Sequence, residues 1–155
     1  MDETQKHTTP ITEQKQDEMI KKKRKRDNQI KYLTQEELQR FFKAIEKTGG
    51  KFWLRDLVAF QLIYYCGLRA SELEYITKES YKPDTNEIHI KRLKGSMCNT
   101  IRIIHQDKIK NLNKYIKEYT GDKLYQINQS NTPLFKSKNG EPLRLESIRY
   151  LMKYY

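Results

Sequence analysis

The run Phe52 to Cys66, "FWLRDLVAFQLIYYC", restricts the fold more than any other stretch of the chain. Apolar side chains fall on nearly every side of a helix drawn through it, so this helix has no solvent face and belongs at a domain centre. A chain of 155 residues has room for one such core, not two. Gly67 supplies the helix stop, and a single arginine, Arg69, follows at the break with Ser71 and Glu72 close behind.

The flanking segments give this helix its company. Thr34 with Glu37 three residues on forms a capping box, so a first helix starts at Thr34. Leu38, Phe41, Phe42 and Ile45 then make one apolar face, and Gly49-Gly50 ends it. A short third helix over Ala70 to Ile76 keeps Leu73 and Ile76 inward, while Tyr64, Tyr65 and Tyr75 read as packing residues. After the turn "KPDTN" the period changes to two. In "EIHIKR" and "TIRIIH", Ile88 and Ile90 share a face, as do Ile101 and Ile103, and "LKGSMCN" links them as a hairpin carrying Lys94-Gly95. Ile109, Leu112, Tyr115, Ile116 and Tyr119 restore a helical period that Gly121 closes. A turn at Asn139-Gly140 leads to a last helix through Leu145, Ile148, Leu151, Met152 and Tyr155, expected to run off the chain end uncapped. The pattern predicts an α+β fold, mainly helical, with a small antiparallel hairpin or sheet.

Charge narrows the partners. The formal net charge is +11, and residues 1–31 account for +3 of it, so the folded part is itself basic. That balance favours a polyanion. Residues 1–31 are polar and without periodicity, which reads as a disordered basic arm ahead of a domain over 32–155. Lys21, Lys22, Lys23, Arg24, Lys25 and Arg26 within it are either a solvated charge cluster or a phosphate-binding arm reaching around a duplex. No stretch approaches the roughly 18 apolar residues of a membrane span, and the polar start lacks the apolar segment of a signal peptide. A cytoplasmic, nucleoid-associated protein is expected. Cys66 and Cys98 stand singly and His7, His89 and His105 are scattered, so reduced thiols and no metal or other cofactor are expected.

Two readings of Arg69 stay open on chemistry alone. It is an ordinary arginine in a helix junction, held by Glu72 three residues on; or it is a fixed, permanently charged fork that binds a phosphate bidentately, with Glu72 locking its support. A second cation on the hairpin would complete such a site.

The order "LTQEEL", apolar helix, "YYCGLRASELEYI", hairpin with "KRLKG" and "TIRII", helix, then "PLFKSKNGEPL" resembles the amino-terminal half of the catalytic domain of tyrosine recombinases, the phage integrase family. The resemblance covers Tyr32 to Tyr155, and its specific part is "GLRASEL" followed by a hairpin lysine 25 residues after Arg69. It implies a metal-free transesterification of double-stranded DNA through a phosphotyrosyl link. Arg69 matches the family's first arginine, which binds non-bridging phosphate oxygens. Lys94 matches its hairpin lysine, the proton donor to the leaving oxygen, with Lys91 three residues upstream as the rival. Glu72 matches the acidic residue that supports the arginine. Lys91, Arg92 and Arg102 are phosphate contacts or the solvent face of the sheet.

The family's second motif, His-x-x-Arg-His, occurs nowhere in this sequence. Tyr154 and Tyr155 precede the place it would occupy, and read as core-facing or frayed aromatics rather than as the nucleophile. The expectation is therefore a truncated or split recombinase, inactive alone and complemented by a recombinase subunit or a carboxyl-terminal half. The alternatives are a non-catalytic DNA-binding or recombinase-associated protein and a decayed remnant that folds poorly.

Overall fold

A computed structural model describes residues 32–93, 97–120 and 132–155. The expected arm, with Lys21 to Arg26, lies outside them, as do Lys94, Gly95 and Gly121. By its contacts the chain divides between Leu38 and Gln39.

On the amino-terminal side of that division, the backbone N–H of Thr34 donates to Glu37 Oε2 at 2.8 Å and that of Glu37 to Thr34 Oγ1 at 3.2 Å. This reciprocal cap fixes the start of α1, Gln35–Thr48. Leu38, at the end of this first part, is buried.

Beyond the division, Phe41 and Phe42 are half-buried and Ile45 is fully enclosed. Helix α1 stops where Gly49 passes a neighbour too closely for any side chain. A Cβ there would lie 2.6 Å from both the Ile45 carbonyl oxygen and Trp53 Cβ. A single 3-10 turn over Gly50–Phe52 then leads into α2, Trp53–Tyr65. Every residue from Leu54 to Leu62 is buried, as the all-round apolar pattern requires.

Three of those buried residues are polar: Arg55, Asp56 and Gln61. Arg55 and Asp56 satisfy one another, with Arg55 Nε 2.7 Å and Nη2 2.6 Å from Asp56 Oδ1. Arg55 Nη1 donates to the Lys136 carbonyl at 2.8 Å, and the guanidinium lies over the Phe52 ring at 4.5 Å. The pair is thus solvated by protein rather than by water.

After α2 the expected short helix forms over Ala70–Tyr75, wound as a 3-10 helix. Its first bond runs from the Glu72 N–H to the Arg69 carbonyl at 2.8 Å, the i to i+3 closure that the Glu72 side chain reinforces. Leu73 and Ile76 face inward as read from the sequence, but Tyr75 and Tyr64 are half exposed. Both rings sit at the rim of the core, where only Tyr65 of the three is substantially covered.

The sheet has three antiparallel strands in the order β1 (Tyr81–Lys82), β2 (Glu87–Ile90) and β3 (Asn99–Arg102). β1 is a strand too short for alternation to announce it. Ile88 and Ile90 are completely buried, Ile88 pairs with Ile101, and Ile103 just past β3 is buried too. Helix α3, Gln106–Thr120, packs on α2 through Ile109, Leu112 and Tyr115. The Tyr115 hydroxyl donates to the Leu134 carbonyl at 2.7 Å. The Asn139-Gly140 turn is present, with Gly140 at φ +83°. Helix α4, Leu145–Tyr154, rests against the 3-10 helix Ala70–Tyr75, with Ile148 in the core and Leu151 packed on it, whereas Met152, expected inward, stands 43% exposed.

Tyr155 ends in the core. Its hydroxyl donates to Asp56 Oδ2 at 2.7 Å and its ring meets Phe41 edge-on. Burial and the neighbouring Asp56 carboxylate push the phenol well above its ordinary value. Replacing Tyr155 by Phe leaves Asp56 short of a donor while keeping the ring, so unfolding in urea is expected to show a loss of about 1–3 kcal/mol. An unchanged midpoint would mean that Asp56 needs only Arg55.

Candidate functional site

The site forms where the chain leaves α2. The Cys66 N–H still bonds back to the Leu62 carbonyl, and then Gly67, at φ +60°, turns the chain through a conformation that side-chain-bearing residues rarely adopt. Leu68 is buried, which pins the turn to the core, and Arg69 follows in extended conformation with its side chain 48% exposed. The helix stop therefore delivers an arginine at the surface on a backbone fixed from beneath.

Glu72 is what fixes it. Its side chain is wholly buried, yet four donors converge on the carboxylate. Arg69 gives its backbone N–H to Oε2 at 2.9 Å and its Nη1 to Oε1 at 2.8 Å. From the hairpin, Arg92 Nη1 donates to Oε2 at 2.9 Å and the Leu93 N–H to Oε1 at 3.2 Å. Burial by itself would raise the carboxyl pKa. The bonds from the Arg69 and Leu93 backbone and from the two guanidinium groups outweigh it and lower the value to about 2.

Arg69 and Arg92 line one open groove of about 340 Å³ with Met97, Cys98 and Asn99. Toward the described residues Arg69 uses Nη1 alone, reaching Glu72 and, at 3.5 Å, the Leu93 carbonyl. Among the described residues its Nε and Nη2 have no protein acceptor, so one edge of the fork is available to a ligand. Cys98 on the groove wall is exposed, whereas Cys66 is buried, and burial pushes its thiol up to about 11.

The other sequence-predicted residues are placed as follows. Lys91 is exposed where the chain leaves β2, and Arg102 is exposed on β3, paired in register with Glu87. Arg92 points back onto Glu72 and Gly67. Tyr154 is exposed and stacks on Tyr150 in α4, with ring centroids 6.2 Å apart, while Tyr155 is engaged by Asp56. Among the described residues, no group of His, Cys, Asp and Glu is arranged to hold a metal ion, and no helix is long and apolar enough to cross a membrane. Sequence reasoning did not find the Arg92 bond to Glu72 or the Arg55–Asp56–Tyr155 chain. The one available signal was an adjacent Arg-Asp in a mostly apolar run.

With this arrangement in view the chain can be classed: it belongs to the phage integrase family, whose sequence model matches residues 31–155. Among solved structures, its fold is similar to that of the Tn1549 transposon integrase in complex with a circular intermediate DNA (TM-score 0.63, 23% identity, 83% of this chain and 46% of that one). XerA recombinase is similar at TM-score 0.61 and 17% identity over 79% of this chain and 41% of that one. The lambda integrase tetramer bound to a Holliday junction is similar at 0.55 and 19%, over 78% and 33%. This chain thus spans less than half the length of each. No curated protein matches it by sequence.

The Glu72 carboxyl has a lower pKa folded than its ordinary 4.5, so its contribution to stability is complete above about pH 4.5 and fades as pH falls toward 2. Glu72→Gln is accordingly expected to lose about 3 kcal/mol at neutral pH. The gap from wild type should shrink steadily below pH 4.5 in urea titrations taken across that range. A gap independent of pH would show that packing, not charge, makes Glu72 matter.

Proposed function

We propose that the groove beside Arg69 is a phosphodiester-binding site of a DNA recombination protein of the tyrosine recombinase type. The observation that carries this reading is the half-free guanidinium: Nη1 is anchored on a buried carboxylate, in an arginine that lines an open groove. A fork held in that way suits bidentate contact with non-bridging oxygens. In this reading Arg69 binds the scissile phosphate, Glu72 supports it, and Lys94, one residue beyond Leu93, donates a proton to the leaving oxygen. Lys91, Arg102 and the Lys21 to Arg26 arm add contacts along the backbone of a duplex. A role at the nucleoid in the cytoplasm follows from that partner.

The sequence holds no His-x-x-Arg-His, so the remaining catalytic groups are proposed to come from outside these 155 residues, on a continuation of the chain or on a separate subunit. Arg69 and Lys94 alone bind and polarise a phosphate; they do not supply a nucleophile. A second reading is a DNA-binding module that occupies sites or pairs with a recombinase without cleaving, for which the Arg69 groove alone suffices.

The test is retention of a nicked suicide duplex, wild type beside Arg69→Ala, with covalent adduct scored in parallel. Retention that falls about 10-fold in the variant, as loss of a charge-assisted hydrogen bond implies, supports the phosphate site. The log of affinity should fall against the log of salt with a slope of about −0.9 per phosphate neutralised. Duplex should also shield Cys98 from iodoacetamide, Cys66 being buried. Adding a chain that carries the missing residues separates the two readings: cleavage supports the recombinase, binding alone the module. Retention and shielding indifferent to Arg69 would defeat both.

A further inference from the structure

Arg92 does not lie where a phosphate contact on the outer face of the sheet would lie. Two residues past the end of β2 it folds back, and its Nη1 donates to the Gly67 carbonyl at 3.0 Å and to Glu72 Oε2 at 2.9 Å. Its side chain is only 16% exposed, against 48% for Arg69. Leu93 adds its N–H to Glu72 Oε1 and accepts from Arg69 Nη1. Two segments some twenty residues apart in sequence are thus tied together at one carboxylate.

That sharing has a consequence for Arg69. A carboxylate with both oxygens open to an arginine draws the fork into a two-nitrogen contact, which is the preferred geometry of the pair. Here Oε2 already receives Arg92 Nη1 and the Arg69 backbone N–H, so the Arg69 side chain is left with Oε1 alone. We infer that Arg92 is a positioning residue: by occupying Glu72 Oε2 it holds Arg69 to a single-nitrogen contact and keeps the other edge of its fork turned to the groove. The effect on ligand binding rests on the reading of Arg69 as the phosphate-binding arginine.

The test compares the full chain with Arg92→Met, Arg92→Lys, Arg69→Met and the double Met variant, using duplex DNA as the probe and hydrogen exchange at the Leu93 amide as a DNA-independent readout. Arg92→Met is expected to weaken duplex binding about as much as Arg69→Met, roughly 10-fold, and the double variant no further, because both act through one fork. The Leu93 amide, having lost the neighbour that holds its acceptor in place, should exchange roughly 10-fold faster. Lysine keeps the charge but is one bond shorter than the distance this contact spans, so Arg92→Lys should also bind weakly and exchange quickly.

Multiplying losses in the double variant, or wild-type binding in Arg92→Lys, would instead make Arg92 a second phosphate ligand and overturn the inference. Were Arg69→Met to bind like wild type, the phosphate reading would fall by itself. The positioning role of Arg92 would then stand or fall on Leu93 exchange, and values within about twofold of wild type in both Arg92 variants would end it. If Arg92→Met does not fold, the lysine variant, which preserves the charge beside Glu72, carries every comparison.

Discussion

A carboxylate removed from water is costly unless its lone pairs are met, and at Glu72 they are met by donors from two separate parts of the chain. The rest of the site follows from that requirement. To satisfy Glu72 the Gly67–Glu72 turn and the Arg92–Leu93 segment must lie side by side, and once there they frame the groove. The carboxylate also neutralises one of two guanidinium groups. The groove keeps a net positive charge without holding two cations face to face, an arrangement suited to a singly charged anion.

Helix α2 is the base on which this rests. It is buried from Leu54 to Leu62, and Leu68, just past its end, is buried as well, so the turn bearing Arg69 is anchored on both sides. A second buried ion pair, Arg55 with Asp56, works at the opposite end of the same helix. It is closed by the Lys136 carbonyl and the Tyr155 hydroxyl rather than by the hairpin. Both ends of α2 thus use a buried charge to hold distant segments, but Arg55 is buried with its partner whereas Arg69 is half exposed.

Much of the fold was legible because it is local. The Thr34–Glu37 cap, the period of α1, the all-round burial of α2 and the alternation around Ile88 and Ile90 depend on near neighbours in sequence, and each is found in the structure. The 3-10 winding of Ala70–Tyr75, the short β1 and the exposure of Tyr64, Tyr75 and Met152 were not legible. Each depends on where the rim of the core falls, or on a bond to a residue far along the chain. Arg92 is the clearest instance. In sequence it is one of several basic residues near a hairpin, and only its reach to Gly67 and Glu72 separates it from Lys91 beside it.

The sequence by itself determined a chain with one helix that must be central, a glycine stop after it, an arginine and a glutamate three residues apart at the break, and a basic surface. Those follow from composition and periodicity, which are properties of the chain read in order. Tertiary structure decided which charges face solvent and which are consumed. It brought Arg92 and Leu93 to Glu72 across some twenty residues and left one edge of Arg69 open. The physical reason is that a buried carboxylate chooses its partners by proximity in space, and proximity in space is set by packing rather than by order along the chain.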